Sequence, residues 1–288
     1  MQLEGYSVAR GCELARISRA GFYRQWAEKA PRQLETALRD AMQRIALGNR
    51  CYGYRRVTAA LQLQGWEVNH KRIARMLRED NLLSLRRRAF VVTTDSRHGY
   101  TIYPNLARNM VLSAPNQLWV ADITYIRLAD VFVYLAVILD AFSRRVVGWE
   151  LDRSLTTSLV LSALRQAVTG RALTGDIVHH SDRGVQYCSG EYVNVLKEHR
   201  FTISMSRRGN PWDNARCESF MKTLKAEEVY LKQYRDIDDA RSNLTEFLDQ
   251  VYNRQRLHSA LQYQSPEAFE FALAVASKAS VAATEATV

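Results

Sequence analysis

The stretch LWVADITYIRLADVFVYLAVILDAFSRRVVGWE, residues 118–150, decides the fold. Apolar, β-branched and aromatic residues fill three runs, 119–126, 131–139 and 145–150. Ala129-Asp130 and residues 140–143 punctuate them as turns. That spacing predicts an antiparallel three-strand meander. Working outward, residues 156–168 read as a helix and 177–180 as a short buried strand that ends at Asp182. A helix over 191–198 and a strand over 201–205 follow. Three antiparallel strands and then alternating helix and strand make an α/β domain, a mixed sheet flanked by helices. The apolar run 131–139 is too short to span a bilayer and reads as a buried strand.

Two acidic residues each follow a short apolar, β-prone run in this region: Asp122 in LWVADITY and Asp182 in VHHSDRGVQY. A third, Glu218, follows a Gly-Asn-Pro-Trp-Asp-Asn turn cluster and opens an amphipathic stretch, the first turns of a helix. Thirty-five residues separate Asp182 from Glu218. A lone Asp after a strand is ordinarily a turn cap or a surface charge, and a Glu near a helix start gains from the helix dipole. Two strand-borne Asp and one helix-borne Glu can instead converge on one point. Oxygen donors of that kind suit Mg²⁺, which binds through a few carboxylates plus water and substrate phosphates. A pair of such ions stabilises the attacking and leaving oxygens of an in-line phosphoryl displacement.

Charge divides the chain. The overall balance is +10 over 288 residues. Residues 1–111 hold 20 Lys and Arg against 9 Asp and Glu, a net of +11, whereas residues 112–288 hold 20 against 21, a net of −1. A basic front module joined to a near-neutral one points to a polyanionic partner such as nucleic acid. Residues 7–26 read as two short helices, either a small helix-turn-helix fragment or a packing hairpin. A helix over 32–47 follows. Residues 55–63 form the next helix, Gly65 to Val68 turn the chain, and Asn69 caps another. In that last helix Ile73, Met76 and Leu77 face the core, while Lys71, Arg75 and Arg78 recur on another face with His70 and Arg72 beside them. A DNA-recognition helix needs this division between apolar and donor faces. Residues 86–100, with three consecutive arginines, read as a basic linker along DNA or as an uncommitted tether.

The four cysteines, Cys12, Cys51, Cys188 and Cys217, have no zinc-site spacing and read as reduced packing thiols. Without a signal peptide or membrane span, the expected location is the cytoplasm, at the nucleoid. Arg207 and Arg208 lie in a loop beside the acidic site and suit phosphate contact. Trp212 reads as a core anchor, and Asp213 or Asn214 as the cap of the Glu218 helix. For His179, His180 and Arg183 packing or DNA contact is preferred to a metal or acid–base role. Asp140 reads as a hairpin-turn residue and His258 as a structural or assembly contact.

Seven segments in order carry a resemblance: YGYRRV (52–57), VNHKRIARMLRED (68–80), NQLWVADITY (116–125), LDAFSRRVVGW (139–149), HSDRGVQY (180–187), SRRGNPWDNARCESFMKTLK (206–225) and YNRQRLHSAL (252–261). Together they resemble the DDE transposases and retroviral integrases, and more narrowly the OrfB type of the insertion-sequence-three group, from about residue 6 to 269. The resemblance implies an RNase H-like integrase catalytic core preceded by an all-α helix-turn-helix region. The expected division is a small helical segment at 1–30, a helix-turn-helix domain at 31–85, a basic linker at 86–111, the catalytic core with its C-terminal helices at 112–270 and a disordered tail at 271–288. It implies that Asp122, Asp182 and Glu218 are both catalytic residues and ligands of two Mg²⁺ ions, for which Mn²⁺ can substitute. It further implies strand cleavage at element ends and 3′-OH strand transfer without a covalent protein intermediate. Lys222 and Lys225, four and seven residues after Glu218 on one helical face, take the place of basic residues that hold the DNA end. The implied partners are terminal inverted repeats, target DNA, further copies of the chain on paired ends, and an upstream-frame helix-turn-helix partner or fusion. A stand-alone nuclease of the same fold and a DNA-binding regulator with an idle core are the alternatives.

Overall fold

The computed structural model describes residues 7–16, 18–20, 22, 33–84, 100–173, 175–207 and 210–285, with backbone alone at 33–34, 211–212 and 278–285. The second short helix expected near residue 20 falls largely outside these residues, as do the 86–99 linker, Arg208 and the side chain of Trp212.

Helix α1 (Val8–Leu14) starts at Ser7, whose Oγ accepts from Arg10 N. Helices α2 (Gln33–Gly48), α3 (Tyr54–Leu63) and α4 (His70–Glu79) then enclose one small core. Met42, Val57, Leu61, Ile73 and Met76 are fully buried in it. Asn69 caps α4 as expected, its Oδ1 accepting from Lys71 N at 2.8 Å. Ile73, Met76 and Leu77 turn inward; Lys71, Arg72, Arg75 and Arg78 are exposed.

The second core is built on a five-stranded sheet. Its strands are β1 (Leu118–Arg127), β2 (Phe132–Asp140), β3 (Val146–Asp152), β4 (Val178–Ser181) and β5 (Thr202–Met205), in spatial order β3-β2-β1-β4-β5. The first three form the expected meander, and β4 and β5 add in parallel. Alternation along β1 sends Trp119 and Ala121 into one apolar layer and Leu118, Val120 and Ile126 into the other. The first layer is covered by α5 (Thr157–Thr169), α6 (Val185–Cys188) and α7 (Gly190–Glu198). Helix α5 lies almost on β3: a Cβ added at Gly148 would sit 2.3 Å from Ala163 O. The second layer is covered by α8 (Ala215–Leu224), α9 (Ile237–Thr245) and the winding that continues each of them. The expected architecture is thus present: a mixed sheet flanked by helices, preceded by an all-α region.

Two continuations are π-helical, Lys225–Val229 and Glu246–Gln255. By sequence residues 252–261 read as a turn rich in polar residues, but the helical winding runs on to Gln255. The i→i+5 winding puts Phe247 with Tyr252, and Leu248 with Asn253, on the buried face. Asn253 belongs there because it clips the end of edge strand β3: its Oδ1 accepts from Val146 N and its Nδ2 donates to Val146 O, both at 3.0 Å.

A second correction concerns the C-terminal end. The expected disordered tail at 271–288 is instead helical to Glu285, within α10 (Pro266–Glu285). Ser265 Oγ accepts from Ala268 N, Pro266 suits the first turn, and the alanine-rich stretch favours helix. Glu270 anchors this helix to the sheet domain through Arg145 and Arg171, at 2.9 and 2.6 Å. No helix among the described residues is long and apolar enough to cross a membrane.

Candidate active site

Strand register brings the two aspartates together. Val120 on β1 pairs with His180 on the parallel β4. Two residues further on along each chain are Asp122, within β1, and Asp182, just past the end of β4, and Asp122 lies within electrostatic reach of Asp182. Leu118 and Val120 belong to the layer covered by α8. Glu218 sits in the first turn of α8, and Asn214 at its start donates Nδ2 to Ala121 O at 3.2 Å. The third carboxylate is thus tied to the strand segment that carries the first.

Local bonds orient the pair. Asp122 Oδ1 accepts from Ile123 N at 2.9 Å, and Asp182 Oδ1 from Gly184 N at 2.8 Å. The second bond needs glycine, because a Cβ at 184 would lie 2.9 Å from that same oxygen. Asp122 retains some exposed surface, but protein surrounds its carboxyl. Burial, then the charge of Asp182 and more weakly that of Glu218, raises its pKa to about 7. Glu218 is within electrostatic reach of Asp122, yet its own carboxylate accepts from Lys222 Nζ at 3.3 Å. Among the described residues no three His, Cys, Asp or Glu side chains gather closely enough to hold a metal ion as they stand. The aspartate pair is assembled, and the third carboxylate is engaged by lysine.

The neighbouring groups divide clearly. Lys225 lies over the Tyr125 ring at 4.8 Å; burial lowers its pKa and Asp122 raises it. Lys222 is largely exposed. Arg207 is committed to Asp213, which accepts from its backbone N, Nε and Nη2 at 2.9 to 3.0 Å. Asp213 therefore pins the loop and does not cap α8. Asn214 makes no side-chain cap bond either, since it reaches across to β1. Arg183 Nε donates to Ser206 O.

The histidines are packing groups. His179 Nε2 lies 3.0 Å from Tyr192 Oη, and His180 bridges Ser204 and Ser206 at 2.8 and 3.0 Å. Burial takes their pKa values down to about 3 and about 4, so both are neutral at physiological pH. Asp140 is the hairpin residue expected, accepting from the backbone N of Asn116, Phe142 and Ser143. His258 packs edge-on against Tyr252. Cys217, buried under the acidic cluster, has its thiol pushed well up by burial and by the three carboxylates, so it stays protonated. One residue was missed in the sequence reading. Tyr187 is buried within electrostatic reach of Asp122 and Asp182, and its hydroxyl finds no hydrogen-bond partner among the described residues. Its place in the HSDRGVQY segment was the only available signal.

Both parts of the chain match known families. The Integrase core domain family matches residues 113–211 and, through a second description, 199–266; an HTH-like domain matches residues 33–90. An insertion element IS600 31 kDa protein of Shigella sonnei is 36% identical over 263 residues, 90% of this chain and 96% of that one. The transposase InsF for insertion sequence IS3A of Escherichia coli K12 is 34% identical over 272 residues, 92% and 94% of the two chains. Among solved structures, a chain of the simian T-cell lymphotropic virus intasome aligns over 74% of this chain and 69% of its own, with 17% identity and a TM-score of 0.47. Nearly full-length identity at this level, with the two domain matches in the same order, shows that the chain belongs to the insertion-sequence transposases of the IS3 family, built on an integrase core.

Proposed function

We propose that this transposase cuts DNA at the ends of its element and joins the freed 3′-OH to a second strand, using Asp122, Asp182 and Glu218 with divalent cations. The observation that supports this best is that Asp122, two residues past the Val120–His180 pair, lies within electrostatic reach of both Asp182 and Glu218. The donor set fits Mg²⁺ or Mn²⁺, because it consists of carboxylate oxygens only. The raised pKa of Asp122 has the same sense: paired negative charge in a partly dry site is unfavourable until a cation offsets it. Bound there, two such cations would neutralise the phosphodiester and polarise its attacking and leaving oxygens.

The remaining residues bind and place the DNA. Lys222 and Lys225 put ammonium groups on the Glu218 side of α8, where the phosphates flanking the reacting bond are expected. The exposed face of α4, with Lys71, Arg72, Arg75 and Arg78, supplies the donors that hold a duplex groove and its phosphates. Terminal inverted repeats are the expected DNA, bound by more than one copy of the chain. Asp122→Asn, Asp182→Asn and Glu218→Gln should each abolish cleavage and joining while DNA binding persists. Near-normal cleavage by any one of them removes that residue from the site.

A further inference from the structure

Four segments far apart in sequence meet behind α8, on the side turned from Glu218. They contribute Arg56 from α3, Arg144 from the β2–β3 turn, Arg216 from α8 and Arg256 from just past the second π-helical segment. All four line one cavity of about 190 Å³. At roughly 30 Å³ per water in the liquid, that is room for about six waters, enough for a phosphate group. The hydroxyl-bearing Ser219 and Thr223 also line it.

The arginines differ in how they are satisfied. Arg256 is buried and makes a two-pronged bond to Glu227, both contacts 2.7 Å, and Arg56 approaches the same carboxylate at 3.6 Å. Arg144 and Arg216 are partly buried and, among the described residues, neither makes an ion pair or a side-chain hydrogen bond. The one acid lining the cavity is Asp140, fully buried and already bonded to three backbone N–H groups. The charge is therefore out of balance: four guanidinium groups face one shared glutamate and one occupied aspartate. The neighbours register the excess. Burial and then the charge of Arg144 lower the pKa of Arg216, against a smaller raising effect of Asp140, and His258 is brought to about 3 by burial, Arg256, Arg56 and Arg144. The turn that presents Arg144 is built for it, with a positive φ of 64° at a non-glycine residue fixed by Arg144 N to Asp140 O at 2.9 Å.

Two partly buried guanidinium groups that make no ion pair or side-chain hydrogen bond among the described residues, in a cavity with hydroxyl donors, form an anion site. We propose that this cavity holds a backbone phosphate of bound DNA, gripped by Arg144 and Arg216 with Arg56 and Arg256 beside them. The proposal rests on the chain acting on DNA. Position favours a DNA phosphate over a free one. Arg216, Ser219 and Thr223 alternate along α8 with Glu218 and Lys222, so the cavity lies about one helix diameter, ~10 Å, from the reacting carboxylate. A strand in the active site has further phosphates within that reach. Because Arg56 belongs to the helix-turn-helix region, one phosphate here would be held by both domains.

The test uses the full chain in EDTA, so that no DNA is cut, and follows a labelled duplex by fluorescence anisotropy across a salt series. For Arg144→Gln/Arg216→Gln the expected result is an affinity loss of roughly tenfold and a log–log salt slope smaller by about one, the value for one phosphate contact. Melting in phosphate-free buffer separates binding from folding. Loss of two mutually repelling charges should leave the midpoint unchanged or higher, and added inorganic phosphate should stabilise the wild type but not the variant. If the double variant unfolds, Arg144→Gln alone should still reduce the slope. Unchanged DNA affinity and slope overturn the proposal, including the case in which inorganic phosphate stabilisation alone is lost, since the site would then serve a free anion. Asp122→Asn in the same assay should bind DNA normally. With Mg²⁺ in place of EDTA, cleavage of DNA by that variant would end the active-site reading while the arginine site stands.

Discussion

Removing the charge of Asp122 should destroy activity and stabilise the metal-free protein. Its carboxyl has a pKa raised from 3.8 to about 7, by burial first and Asp182 second. For an acid whose folded pKa is raised, the unfolded chain ionises more easily than the folded one. The unfavourable contribution is absent below about pH 4, grows as pH rises through the window from about 4 to 7, and is constant above it. Roughly three pKa units at 1.36 kcal/mol each give a ceiling of about 4 kcal/mol. Solvent reaching the partly exposed side chain reduces this to about 2 kcal/mol. Asn is nearly isosteric and keeps an oxygen for Ile123 N, so Asp122→Asn should recover most of that amount. In thermal unfolding with EDTA at pH 8 this is a rise of roughly 4–8 °C, shrinking markedly by pH 5. Adding Mg²⁺ should raise the wild-type midpoint and leave the variant nearly unmoved. A variant less stable than wild type at pH 8, or an offset independent of pH, would refute the electrostatic reasoning.

Further outcomes follow from other contacts. Glu227→Gln leaves Arg256, only 4% exposed, without its carboxylate; urea unfolding should show a loss of about 3–5 kcal/mol. Gly148→Ala drives a methyl into the α5 backbone, so the same measurement should show about 1–3 kcal/mol of destabilisation. Arg75→Ala in the full chain should weaken duplex binding and reduce the salt slope by about one; an unchanged slope would take α4 out of the DNA contact. Lys222→Ala should lower joining of a DNA end more than non-specific nicking, and equal loss of both would assign it a general role.

The strands were legible because a sheet covered on both faces calls for short continuous runs of apolar, β-branched and aromatic residues. Residues 119–126 and 131–139 are such runs, and β1 and β2 extend only one residue beyond them at most ends. Asp122 and Asp182 were legible because each ends or interrupts such a run, and parallel register then places them together. The winding over 246–255 was not legible. A π-helix shifts its buried face off the 3.6-residue period, and buried Asn253 looks like a loop residue until its bonds to Val146 are seen. Asp213 was misread as a cap because residue type and position suit a helix start; only the fold shows Arg207 folding back onto it. The arginine cavity lay beyond sequence reasoning altogether, since Arg56 and Arg256 are 200 residues apart and nothing local marks either as facing the other.

Strand transfer tests the central claim most directly. A DNA end with a recessed 3′-OH, an unlabelled target duplex, the protein with any partner it requires, and Mg²⁺ or Mn²⁺ are combined, and products are resolved on a denaturing gel. A matched end lacking the 3′-OH runs beside it. An enzyme that holds the 3′-OH in near-attack geometry lets it outcompete bulk water through high effective molarity. The account predicts a joined species that depends on the 3′-OH and disappears with Asp122→Asn, Asp182→Asn or Glu218→Gln. Metal-dependent nicking with no 3′-OH-dependent joined product, given correct terminal sequences, would contradict it and leave a nuclease of the same fold.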